Sequence, residues 1–164
     1  MTMNFKKLIF VLGIVLLFAS FVSAQNKYIG AAKCKMCHNK EEKGEQYNKW
    51  AAGPHAKAMA SLKGADATNP KCLKCHSTAA SVDQSLVGGI TVAEGVSCET
   101  CHGPGSGYKV ATTMKDKAKA IAAGMIVPDE KLCRKCHNKE SPNYKEFNYA
   151  EYSKKVAHKD PSKK

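Results

Sequence analysis

The sequence predicts a mainly α chain of short helices and loops, with little or no β structure apart from one short hairpin. Three observations predict it: too few aliphatic side chains to fold unaided, a Cys-x-x-Cys-His unit that recurs four times, and helix start and stop signals between those units.

The first observation is a deficit. Beyond Ala24 the chain has four Leu, four Ile, seven Val and one Phe, about 11% of its residues, where less than about 20% with a high net charge reads as disorder. Something other than side chains has to supply the buried surface of 25–164, which has the length of a single domain.

The second observation names what that is. The units are Cys34-Lys35-Met36-Cys37-His38, Cys72-Leu73-Lys74-Cys75-His76, Cys98-Glu99-Thr100-Cys101-His102 and Cys133-Arg134-Lys135-Cys136-His137, at intervals of 38, 26 and 35 residues. The unequal spacing and differing flanks mark a repeated attachment site, not a solenoid of equal repeats. Zinc ribbons need paired Cys-x-x-Cys with no rule about a following His, and disulfides need no His either. His is only 6 of 164 residues, yet it follows all four pairs, and all 8 Cys fall inside the pattern. Independent placement would give this about twice in a million sequences. Two thiols that add across the vinyl groups of haem, followed by a His placed to coordinate its iron, account for the spacing. Four covalently attached haem c groups are large flat apolar bodies, and they would provide the core that the side chains lack.

The elements follow in order. Residues 1–24 have a basic start at Lys6 and Lys7, an apolar run from Leu8 to Val22 and a small-residue exit at Val22-Ser23-Ala24, which reads as a cleaved secretory signal peptide. The run is about 15 residues where a spanning helix needs about 20. Lys40 to Ala51 reads as a helix stopped by Gly53-Pro54, and Pro54 suits the first position of a short second helix, His55 to Leu62. Val87 to Val92, with Gly88-Gly89 inside it, reads as the short hairpin. Met114 to Ala123 reads as a helix closed by Gly124. Pro128-Asp129-Glu130 opens a helix carrying the fourth unit, with carboxylates in its first turn. Tyr144 to His158 reads as a terminal helix, and Lys159 to Lys164 as a frayed end.

Charge bears on partners. Beyond Ala24 there are 24 basic and 14 acidic residues. Eight propionates would subtract about 8 charges and four ferric irons return about 4, leaving a moderately basic protein. A solvated face explains such an excess; docking to an acidic redox partner or an anionic membrane surface is the sharper reading. Nucleic acid is not a partner on this reading, because the chain is exported and its aromatics are not interleaved with its basic runs.

Six-coordinate iron needs a second ligand. After proximal His38, His76, His102 and His137, only His55 and His158 remain as distal candidates. Two haems therefore lack a histidine partner and either use Met or stay five-coordinate. Met36, Met59, Met114 and Met125 are the available thioethers, each of a type that routinely fills packing gaps; Met114 is the first choice.

The order of sites, with Trp50, the segment His55-Ala56-Lys57-Ala58-Met59, the Gly88-Gly89 turn and the segment from Gly95 through Cys98 and Cys101 to Gly105, resembles the cytochrome c-554 family. The likeness runs from about Lys33 to His158. It implies a tetrahaem periplasmic electron carrier of the kind known from ammonia oxidisers, where the donor is hydroxylamine oxidoreductase. It also implies one five-coordinate haem and three bis-histidine haems. Carried over, His55 would cap the Cys98/Cys101 haem, His158 would cap the Cys133/Cys136 haem, and the Cys72/Cys75 haem would be open. The chain departs from the family where a distal His is expected about ten residues beyond the third site, at Thr112, Thr113 and Met114. The first haem, at Cys34/Cys37, is left with Met114, no ligand, or a ligand from a partner chain.

Electron transfer between redox proteins, in the periplasm or outside the cell, is the leading functional expectation. The alternatives are a redox enzyme acting on nitric oxide, nitrite or hydroxylamine at an open haem, and a subunit of a larger multihaem conduit in which chains assemble.

Overall fold

The structure is a computed structural model, and it describes residues 25–161. The signal peptide expected at 1–24 and the last three residues of the Lys-rich end lie outside the described residues. Short helices dominate: α1 (Ala31–His38), α2 (Gln46–Ala52), α3 (Pro70–His76), α4 (Thr78–Ser81), α5 (Cys98–His102), α6 (Ala111–Met114), α7 (Lys117–Ala122), α8 (Glu130–Cys133) and α9 (Tyr149–Val156), joined by turns of 3-10 helix. The mainly α fold of the sequence reading stands.

Local chemistry sets the boundaries. Asn69 accepts from the Lys71 amide with Pro70 at the first helical position of α3; Asp116, Asp129 and Asn148 do the same capping for α7, α8 and α9. Each side chain satisfies an amide that the first helical turn cannot. The expected helix from Lys40 to Ala51 breaks in two: after a 3-10 turn at Glu41–Lys43, Gly44 and Glu45 take positive φ, and α2 begins only at Gln46. The second helix expected at His55 to Leu62 is a turn followed by 3-10 helix at Ala58–Ser61. The terminal helix starts at Asn148, whose cap fixes it, and not at Tyr144.

The expected hairpin is absent, and among the described residues there is no strand. Val87 makes one isolated parallel bridge to Tyr28. The reason lies at Gly88 and Gly89, where an added Cβ would stand 2.8 Å from Lys27 Cβ and 3.0 Å from the Ile29 carbonyl oxygen. The glycines admit the incoming N-terminal segment against the chain, so this stretch pairs with residues 27–29 and does not fold back on itself.

That N-terminal segment ties three parts of the chain. The Asn26 amide donates to the Ala123 carbonyl (2.7 Å), Lys27 N to Ser106 Oγ (2.7 Å) and Tyr28 N to the Leu86 carbonyl (2.8 Å). α1 packs against α2 and α5, α3 against α4, and α6 against α7. The buried apolar set is small: Ala31, Ala79, Ile90, Tyr108, Ala120 and Phe147. It matches the aliphatic poverty of the sequence and leaves the space between helices to be filled by something else.

Candidate haem sites

Each Cys-x-x-Cys-His unit sits on one short helix or its end. α1 carries Cys34, Cys37 and His38; α3 carries Cys72, Cys75 and His76; α5 carries Cys98, Cys101 and His102; Cys133 closes α8, with Cys136 and His137 in the turns that follow. One helical turn puts both sulfurs and the imidazole on the same side, the arrangement that a single macrocycle requires. All eight cysteines are free.

The histidines are held as ligands would be. His76 Nδ1 donates to the Ala58 carbonyl (2.9 Å), His102 Nδ1 approaches the Ile126 carbonyl (3.4 Å) and His158 Nδ1 donates to the Val156 carbonyl (2.9 Å). A carbonyl partner fixes the proton on Nδ1 and leaves the Nε2 lone pair free for a metal. Burial, and for His55 and His102 a facing imidazole, lowers the pKa of His55, His102 and His137, keeping the rings neutral as ligation demands.

Four of the six histidines form two facing pairs. The His55 and His137 ring centres are 6.0 Å apart with planes at 56°, and those of His102 and His158 are 6.0 Å apart at 71°. Two imidazoles on opposite sides of one first-row metal ion, at bond lengths of about 2.0–2.1 Å, bring their ring centres to roughly 6 Å. The residues present fit haem. The pairing, however, exchanges the partners that the family resemblance implied: His55 faces the fourth site, not the third, and His158 the third, not the fourth. The physical reason is that backbone and ring of His55 serve different neighbours. Its carbonyl accepts from Val96 N (3.0 Å), just ahead of the third unit, and an added Cβ on Gly95 would lie 2.8 Å from that oxygen, while the imidazole reaches across to His137. Trp50 Nε1 donates to the Val96 carbonyl (2.9 Å) and locks the same junction.

His38 and His76 have no facing imidazole among the described contacts. Met114 is the last residue of α6, half-buried, its amide donating to the Val110 carbonyl (2.8 Å).

The sites adjoin one another in an order that differs from the sequence. The Cys34 and Cys98 thiols lie close enough to shift each other's ionisation, which brings the first site against the third. Cys133 lies within electrostatic reach of Cys101, third to fourth. The charge of Cys75 is felt at Cys136, and Lys74 pairs with Glu140 nearby, joining fourth to second. Thr78, at the start of α4, also ties the second unit to the third: its hydroxyl meets Thr100 Oγ1 and accepts from Ser97 N (2.8 Å).

Four side chains of the sites escaped the sequence reading. Glu99 is 2% exposed inside the third unit, and Glu94 accepts from the Ala31 amide (2.8 Å). Tyr108 donates to the His102 and Gly103 carbonyls (2.8 Å each). Phe147 stacks on His137 with ring centres 4.6 Å apart. One signal was available for Glu99: it is the sole acid among the eight residues lying between paired cysteines.

The sequence profile of the family described as "Cytochrome c554 and c-prime" matches residues 33–103. The chain is similar to cytochrome c-554 of Nitrosomonas europaea, 30% identical over 153 residues that cover 71% of this chain. It spans 60% of the length of that relative. No solved structure matches the chain. Among the described residues no helix is long and apolar enough to cross a membrane. Covalent haem c is the cofactor that Cys-x-x-Cys-His units of a c-type cytochrome carry. With the motif, the profile over residues 33–103 and this relative in agreement, the chain is similar to the cytochrome c-554 family.

Proposed function

We propose that this protein is an exported tetrahaem c-type cytochrome, one domain over 25–164, that relays electrons between redox partners outside the cytoplasm. The adjacency of the attachment sites carries this reading. Cys34 adjoins Cys98, Cys133 lies within electrostatic reach of Cys101, and Cys136 adjoins Cys75, so groups held at these sites would line up first to third, third to fourth and fourth to second. Bound haem supplies a one-electron ferric/ferrous couple at each position.

The chain's part is to hold, ligate and shield. His102 with His158, and His137 with His55, give the third and fourth sites two imidazoles each. Met114 is proposed for the first site, where a thioether opposite His38 would raise the potential above that of a bis-histidine neighbour. The second site, with His76 alone, stays open on its far side. The basic excess suits an acidic redox partner, or an anionic membrane surface beside one.

A second reading attaches to the second site only. An imidazole anchored by Ala58, without a facing partner, leaves room for a small ligand such as nitric oxide, nitrite or hydroxylamine. Haem counting with a reductive titration tests the first reading, and a turnover assay the second. Intact mass and the pyridine haemochrome spectrum should count four haems, and a reductive titration should take up four electrons. Fewer than four haems overturns the tetrahaem reading; rapid turnover of nitrite or hydroxylamine by the purified protein transfers the function to the open site.

A further inference from the structure

The third unit differs from the other three in containing a buried acid. Glu99 Oε1 accepts from Ile29 N (2.9 Å) and Gly105 N (2.6 Å), and Oε2 from Gly30 N (2.7 Å). All three donors are backbone amides. Four acceptor sites on an ionised carboxylate suit three converging N–H groups, where a protonated acid would direct its own hydrogen at one of them.

The surroundings are built for this contact. Gly105 leaves no room for a side chain, since an added Cβ would stand 3.0 Å from both Glu99 Oε1 and Ile29 Cδ1. Glu94 adds a second carboxylate one residue further on, at Ala31 N, and its other oxygen is buried without a partner. Gly30 has no side chain with which to cap α1, so two carboxylates from the third-site segment take the place of a cap. Cys34, on α1, lies in contact with Cys98, the residue before Glu99. After burial, the charge of Glu99 is the largest influence raising the pKa of both Tyr28 and Tyr108, so its field spreads through this region.

The fourth unit contains no acid. It carries Arg134, ion-paired with Glu130 at the surface, whose guanidinium stands 5.7 Å from the centre of the Phe147 ring that stacks on His137.

We propose that Glu99 is a positioning residue that docks the first haem site against the third and, through its buried negative charge, holds the third haem at a lower potential than the fourth. It rests on the haem reading above. Both haems have the same pair of imidazole ligands, so ligand identity does not separate them. Charge does: a buried anion favours ferric over ferrous iron in proportion to its nearness and to the dryness of its setting.

The test is a redox titration followed by low-temperature EPR on haem-replete protein, with haem count read first by mass. A wild-type protein lacking haem at Cys98/Cys101 would refute the haem reading itself, a result separate from those below. The third haem is the low-spin signal abolished by His158→Ala. Glu99→Gln should make that haem about tenfold more ferrous at a fixed poise, a rise of about 59 mV for a one-electron couple. Glu99→Asp keeps the charge and should leave the potential near wild type. A purely structural Glu99 would move both variants alike, and an unmoved potential in a four-haem Glu99→Gln protein overturns the proposal. If Glu99→Gln fails to hold four haems, the wild-type protein decides. The third haem must then reduce below the fourth, and the reverse order overturns the assignment.

Discussion

The third and fourth sites share a motif and a facing pair of imidazoles, yet they are assembled by different forces. The third is tied by polar contacts that are buried or part-buried: Glu99 to three amides, Ser97 and Thr100 to Thr78, and Tyr108 to two carbonyls. The fourth rests on a helix of four residues and on ring stacking, with Phe147 between His137 and Tyr152 and an exposed Arg134–Glu130 ion pair alongside. Buried hydrogen bonds fix position at a high cost if one is broken, whereas stacked rings shift more freely. One cofactor type can therefore sit in a rigid setting with a buried acid and in a softer one without it, within a single small chain.

Ligand removal has the largest expected effect. His158→Ala should convert one low-spin haem to high-spin and leave the His55/His137 haem untouched; His55→Ala should do the converse. EPR of the two variants checks this. The signal lost in His158→Ala should be the one whose potential responds to Glu99→Gln. If instead His55→Ala removes that signal, the pairing implied by the family resemblance holds and the one drawn from ring geometry does not.

Packing comes next. Phe147→Ala removes the ring on which the fourth site leans, and should cost about 3 kcal/mol in unfolding of the haem-replete protein. The potential of the third haem should not move. A shift there would mean that the two sites are not independently supported.

Capping is the smallest effect. Asp129→Ala deprives the Leu132 amide of its acceptor (2.8 Å) and should cost about 1 kcal/mol. Haem content at Cys133/Cys136 should stay full; a loss would show that the fourth site depends on α8 more than on its aromatic neighbours.

Much of the site was legible in the sequence, because the chemistry of haem attachment is local. Five consecutive residues on one turn suffice, and so Cys34 to His38 and its three counterparts stand out without any tertiary information. The caps at Asn69 and Asp129 are equally local. What was not legible is what depends on distant approach. The hairpin expected at Val87 to Val92 gave way to pairing with residues 27–29, a competitor some sixty residues away that no local pattern announces. His55 meets the third-site segment with its backbone and His137 with its ring, a division of contacts that no local pattern announces. Glu99 escaped the sequence reading because acids seldom lie buried without a cation; its partners are amides, which every sequence contains and none advertises.

Low-temperature EPR of the oxidised, haem-replete protein, with haem counted on the same sample, bears most directly on the arrangement. Six histidines, four of them proximal, allow two bis-histidine haems per chain. The account predicts four haems, with low-spin bis-histidine signals from two and a high-spin signal from the second site. Fewer than four haems, or three or more bis-histidine signals from a monomeric chain, would contradict it.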